Sequence, residues 1–151
     1  MFQPLVKGLG DMNLALTLAA IGSAWGAMVA GQAAIGAWKK LLLNNKPAGM
    51  FPMLGFVAAP LSQTFYGMIL RNAIQKAAMA PETYGYQMII GGFGGLALGL
   101  SAWWQGCAGA SAADAYGETG KGQAQYFMVL GLIESVAIMV MVFCLTALPK
   151  V

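Results

Sequence analysis

Residues 121–150 read KGQAQYFMVLGLIESVAIMVMVFCLTALPK. Between the two flanking lysines a single charge, Glu134, interrupts the apolar run near its midpoint. The interval exceeds the ~20 predominantly apolar residues that a helix needs to cross a bilayer core. A charge at that depth costs roughly 2.5–3.5 kcal/mol even on lenient insertion scales, so a carboxylate there marks an ion or proton pathway by default. The bland alternative is a protonated Glu hydrogen-bonded inside a helical bundle.

Outward from this stretch, the charges punctuate the whole chain. No charged residue falls between Asp11 and Lys39, between Lys46 and Arg71, or between Glu82 and Asp114. Helices are expected at 12–38, 49–74, 84–113 and 123–148. An open set of strands would leave backbone groups unpaired in lipid, and no ten-residue alternation suggests a barrel. The composition agrees: 59% of the 151 residues are hydrophobic, 9% are charged, and mean hydropathy is +0.68. Soluble domains carry roughly 25% charged residues, so too little polar surface is present here to coat a water-soluble globule. The predicted fold class is an all-α membrane protein, a single membrane domain over 1–151. It has four transmembrane helices arranged as two tandem hairpins, 12–74 and 84–148.

The connecting segments are KKLLLNNKPAG (39–49), QKAAMAPET (75–83) and DAYGETGKG (114–122). Lys and Arg divide evenly between the two sides of the membrane, Lys39, Lys40, Lys46 and Lys121 against Lys7, Arg71, Lys76 and Lys150, so the positive-inside rule does not orient the chain. The net charge of +3 is scattered and suggests no nucleic-acid partner. There is no histidine, which removes histidine metal sites and histidine bases. Cys107 and Cys144 lie in apolar spans and read as small hydrophobes. The start, Met1 to Asp11, shows no cleavable signal peptide, and the first helix is expected to act as its own insertion signal.

The first and third helices carry stripes of small residues: Gly22, Gly26, Ala30, Ala33 and Ala37 in one, and Gly91, Gly95, Gly99, Ala102, Gly106, Ala110 and Ala113 in the other. In lipid, close backbone approach supplies the packing energy between helices. One such motif would be an ordinary helix contact; stripes over nearly two whole helices suit a crowded inner layer. The second and fourth helices are bulkier, with Met68, Ile69 and Leu70 in one and Met139 to Phe143 in the other. The alternation small, bulky, small, bulky suggests a duplicated hairpin.

The second helix offers oxygens at a depth similar to Glu134, in Pro60-Leu61-Ser62-Gln63-Thr64-Phe65-Tyr66. Pro60 has no N–H and its ring obstructs the preceding turn, which can free a carbonyl. Gln63 and Tyr66 share a face at i, i+3. The third helix adds Gln105. Each alone could tie helices together or bond to its own backbone. Together they are neutral oxygen donors around one carboxylate, as a hard monovalent cation requires. A proton needs only the carboxylate and one acceptor, so the surplus of oxygens tilts the reading toward Na+, with H+ as the alternative.

At this point the chain resembles the rotor-ring proteolipid of V-type ATPases (their K or c component), and most closely that of their bacterial sodium-pumping branch. The resemblance rests on Gly22-Ser23-Ala24-Trp25-Gly26 with Gly31-Gln32-Ala33-Ala34, on Pro60 to Gly67, on Gln105-Gly106 and on Leu132-Ile133-Glu134-Ser135. It implies that Glu134 carries the ion and that Ser62, Gln63 and Gln105 give side-chain oxygens to Na+. It also implies that Ala59 offers its backbone carbonyl and that Tyr66 hydrogen-bonds the carboxylate. Ser62 departs from the threonine of the sodium branch, and Trp104 before Gln105 is also unusual.

The implied partners are identical copies forming a closed ring, a stator membrane subunit with an Arg, central-stalk subunits, and lipid. The implied location is a cell membrane crossed several times, in a bacterial plasma membrane. Residues 47–70 hold no carboxylate, which matches a duplicated proteolipid with one ion site per four helices. The chain is then a non-catalytic, ion-translocating part of an ATP-driven pump. Nothing in it reads as a nucleotide site, since Gly91-Gly92-Phe93-Gly94-Gly95 lies inside a span. Two rivals remain. A small multidrug antiporter also uses one membrane Glu, but in its first helix, and a tetraspan structural protein could pair Glu134 with a partner subunit.

Overall fold

The computed structural model describes residues 10–47, 49–77 and 84–148, and among them every regular element is helical. The elements are α1 (Leu14–Leu43), α2 (Met50–Ala58), α3 (Ser62–Lys76), α4 (Tyr84–Thr119) and α5 (Gln123–Ala147), with a 3₁₀ turn at Ala59–Leu61 joining α2 to α3. The expected second helix is therefore two helices in series. The break falls at Pro60, which cannot donate to the preceding turn and whose ring crowds it. Pro81 and Glu82 of the expected middle connection, and the start through residue 9, lie outside the described residues.

Two expected boundaries move. The first helix runs to Leu43 rather than 38, and the third to Thr119 rather than 113. Lys39 and Lys40 read as loop residues because they are charged. Yet lysine is a good helix former and is favoured near a helix C-terminus, where carbonyls carry partial negative charge. Lys40 and Glu118 form an exposed ion pair that ties the C-terminal ends of α1 and α4. The hydrogen bond from Lys40, reinforced by its charge, holds the Glu118 carboxyl below its usual range. Gly120 (φ 63°) and Gly122 (φ 85°) then turn the chain into α5 in left-handed conformations that suit glycine.

The N-terminus of α1 is organised by a residue that the charge pattern treated only as a boundary. Asp11 is fully buried. Its carboxylate accepts the N–H of Asn13 at 3.1 Å and of Ala15 at 2.9 Å, satisfying donors that the first helical turn leaves free. Its side chain sits where a Cβ on Gly91 of α4 would stand.

The most extensive packing joins α1 to α4, which run parallel. A Cβ on Gly22 would strike the backbone of Gly99, and one on Gly106 would strike the backbone of Gly26. Further along, Gly95 abuts Ala15 and Gly117 abuts Ala37. The small-residue stripes thus face each other within one protomer. The broken helix α2–α3 and helix α5 pack on this layer and meet one another beside it. Phe56, Met53, Leu41 and Leu130 close one apolar cluster, and Leu70, Ile74, Ile90 and Ala15 another.

Three helical segments are long and apolar enough to cross a membrane: Leu14–Leu43, Phe51–Lys76 and Gln123–Ala147. The fourth expected span, now α4, is the longest helix at 36 residues, but its glycines, paired tryptophans and Gln105 lower its hydropathy. Helix α5 has mean hydropathy 2.5 over its most apolar 18 residues, yet buries only Leu130 and Ala137. Its exposed Met128, Leu132, Val136, Met139 and Phe143 present to lipid or to another copy a surface that water would not tolerate.

Candidate ion-binding site

Between the two apolar clusters, α3, α4 and α5 bring polar side chains together. The α2–α3 break determines what α3 can offer. In the 3₁₀ turn the Ala59 carbonyl accepts the Ser62 hydroxyl at 3.0 Å, and the same hydroxyl lies 3.1 Å from Gln63 Oε1. Pro60 is buried against α1, since a Cβ on Gly26 would meet it.

Gln63 and Gln105 are both fully buried. Gln63 donates Nε2 to Gln105 Oε1 at 2.8 Å, and Gln105 donates Nε2 to the Leu130 carbonyl at 3.0 Å. A buried amide without partners would cost about 1–3 kcal/mol, so this chain of bonds fixes α3, α4 and α5 relative to each other. Ser101, one turn before Gln105, adds a bond from its hydroxyl to the Ile133 carbonyl at 3.3 Å. Glu134 follows directly on α5. Tyr66 on α3 donates its hydroxyl to Glu134 Oε1 at 2.6 Å, at the short end of the O–H···O range. Tyr66 itself rests on Ala19, Leu98 and Ala137.

Every site residue expected from the sequence therefore lies in one region. Ser62, Gln63 and Ala59 form one group, joined through Gln63 to Gln105. Tyr66 and Glu134 form a second, on the next turns of α3 and α5. Glu134 is half-buried, whereas the two amides of Gln63 and Gln105 are fully buried. The unusual Trp104 turns away from this region and is 57% exposed.

Sequence reasoning missed two participants and one buried neighbour on α1. Ser101 shares a helix face with Gln105 at i, i+4, and that spacing could have revealed it. The Leu130 carbonyl carries no side-chain signal at all. Ser23 on α1 is buried, its hydroxyl unpartnered among the described residues, and only packing reveals that.

The arrangement can hold a cation by neutralising it with one carboxylate and surrounding it with neutral oxygens, or hold a proton on Glu134 with Tyr66 beside it. No curated protein matches the chain. Residues 88–147, which span most of α4 and all of α5 and include Gln105 and Glu134, match the model of the ATP synthase C-subunit family. The second hairpin is thus similar to these proteolipids, which form oligomeric rings within an ATPase rotor, and the match supports a membrane rotor-ring, ion-translocating role for this chain.

Proposed function

We propose that this chain is the rotor-ring proteolipid of a V-type rotary ATPase and that it carries Na+ on Glu134. The observation that carries the reading is the pairing of a half-buried Glu134, held by Tyr66, with a fully buried Gln63–Gln105 amide pair on the adjoining turns. Ser62, Gln63 and Gln105 side-chain oxygens and the Ala59 carbonyl complete the coordination. Helix α4 crosses the membrane as the fourth span, since it lies along α1 from Ala15 to Ala37.

Copies of the chain close into a ring in a cell membrane, with α1 and α4 lining the inside and α5 turned to lipid. Sodium neutralises Glu134, so an occupied site rotates through lipid without an exposed charge. At the stator the ion leaves, and a stator Arg compensates the emptied carboxylate. Hydrolysis of ATP in the soluble head turns the ring through the central stalk. One site per four helices moves few ions per turn. Each charge moved costs ~2.3 kcal/mol per 100 mV, so such a ring pumps against a steep gradient.

The test is modification of Glu134 by dicyclohexylcarbodiimide in the intact ring. Millimolar sodium at neutral pH is expected to slow the reaction. Labelling that ignores sodium while still depending on pH would replace this reading by a proton ring, to which the Tyr66–Glu134 bond is equally suited. Gln63→Ala is expected to raise the sodium concentration that gives half-protection by about tenfold, as loss of a buried polar partner implies, and to disturb ring yield less than sodium binding. An unchanged half-protection concentration would remove Gln63 from the ion's shell.

A further inference from the structure

In this geometry each amide oxygen assigned to the ion already accepts one hydrogen bond. Gln105 Oε1 accepts Gln63 Nε2, and Gln63 Oε1 lies 3.1 Å from the Ser62 hydroxyl. An amide oxygen has a second lone pair, but once the Gln63 amide rotates to aim its carbonyl at a cation, its N–H leaves Gln105 and needs another acceptor. A buried N–H left without one would work against ion binding by an amount comparable to a lost hydrogen bond.

An acceptor stands ready on α1. Ser23 is 1% exposed, and its Oγ has no hydrogen-bond partner among the described residues. A serine inside a helix ordinarily bonds back to the carbonyl one turn earlier, and this one does not. Its helix face carries Ala19 and Gly26 at i−4 and i+3. A Cβ on Gly67 would meet Ala19, and a Cβ on Gly26 would meet Pro60. Pro60, Gln63 and Gly67 in turn share one face of the 3₁₀–α3 segment. Ser23 therefore stands opposite Gln63, at the back of the site and away from lipid.

We infer that Ser23 is a positioning residue for the ion site: when the Gln63 carbonyl turns to the cation, its amide N–H transfers from Gln105 to the Ser23 hydroxyl. This rests on the sodium reading given above. It makes α1 a fourth contributor to a site otherwise built from α3, α4 and α5, and it couples occupancy to the α1–α3 contact of the inner layer.

Two variants separate hydrogen bonding from packing. Ser23→Ala removes the acceptor, and Ser23→Cys keeps the volume but offers only a weak one. In assembled rings, with sodium as the sole added ion, both are expected to raise the half-protection concentration against carbodiimide by about three- to tenfold, the value of one hydrogen bond. The pH dependence of labelling without sodium is expected to stay as in the unsubstituted chain, because Ser23 does not touch Glu134. Unchanged sodium protection in both variants, with protection intact in the unsubstituted ring, would overturn the role of Ser23 alone. So would a loss in Ser23→Ala that Ser23→Cys fully restores, which would mean packing. Absence of protection in the unsubstituted ring would overturn the sodium reading and this inference with it.

Discussion

Replacing Glu134 by Gln is expected to reduce ATP-driven ion uptake to background while assembled rings form in normal yield. Gln has nearly the same shape and keeps an oxygen to accept the Tyr66 hydroxyl, which lies 2.6 Å from the carboxylate. What it lacks is a negative charge to neutralise a cation or bind a proton. Because Glu134 is half-buried on a helix that buries little else, the substitution leaves no orphaned charge and opens no cavity. The measurement pairs ion uptake into vesicles containing the holoenzyme with carbodiimide incorporation into the proteolipid, and both are expected to vanish. Transport persisting in Glu134→Gln would return the residue to a structural role, as a hydrogen-bonded carboxyl within the bundle. Loss of rings would point the same way.

Gly106→Val is expected to have the opposite profile and to prevent ring assembly altogether. A Cβ at Gly106 would overlap the backbone of Gly26, and a backbone cannot move aside as a flexible side chain can. Overpacking a core ordinarily costs about 1–3 kcal/mol through shifts of neighbouring groups. Here the whole of α1 must withdraw from α4, so several such contacts fail together, among them Gly22 against Gly99 and Gly95 against Ala15. Gln105 immediately precedes Gly106, so displacement of α4 would also draw its amide away from Gln63 and from the Leu130 carbonyl. Gly85→Ala is the matched control, since a Cβ there meets nothing within 4 Å. Ring yield after mild detergent extraction distinguishes the two. Normal rings from Gly106→Val would mean that α1 and α4 do not touch as described.

The two outcomes separate the chemistry of the site from the packing that presents it. They also bear on how legible each was beforehand. The spans were readable because hydropathy accumulates along a chain and needs no knowledge of neighbours: the charge-free intervals ending at Lys39, Arg71 and Asp114 located three helices, and Glu134 stood out in a fourth. The small-residue stripes of the first and third helices were equally local, and they do meet face to face. The helix ends were less legible, since Lys39, Lys40 and the run from Asp114 to Thr119 are polar in composition yet helical in fact. A charge near a helix end can leave the membrane without leaving the helix. Asp11 showed the converse error. It read as a charge marking the water boundary, and it is a buried cap whose carboxylate is satisfied by backbone N–H groups at the start of its helix.

By itself the sequence determined that this is a membrane protein of long apolar helices, that Glu134 is the single charge within the last apolar run, and that Ser62, Gln63, Tyr66 and Gln105 bear oxygens within two of the others. Those properties follow from residue type and position in the chain alone. The bond from Tyr66 to Glu134 was implied by the resemblance, but only the tertiary structure decided the other pairings: Gln63 with Gln105, Gln105 with the Leu130 carbonyl, and Ser23 with none of the described residues. The reason is that a hydrogen bond between helices depends on their rotation and axial register to within a fraction of an ångström. That register is set where Gly26 and Gly106, or Gly22 and Gly99, bring two backbones into contact, so residues far from the site in sequence determine what each oxygen within it can reach.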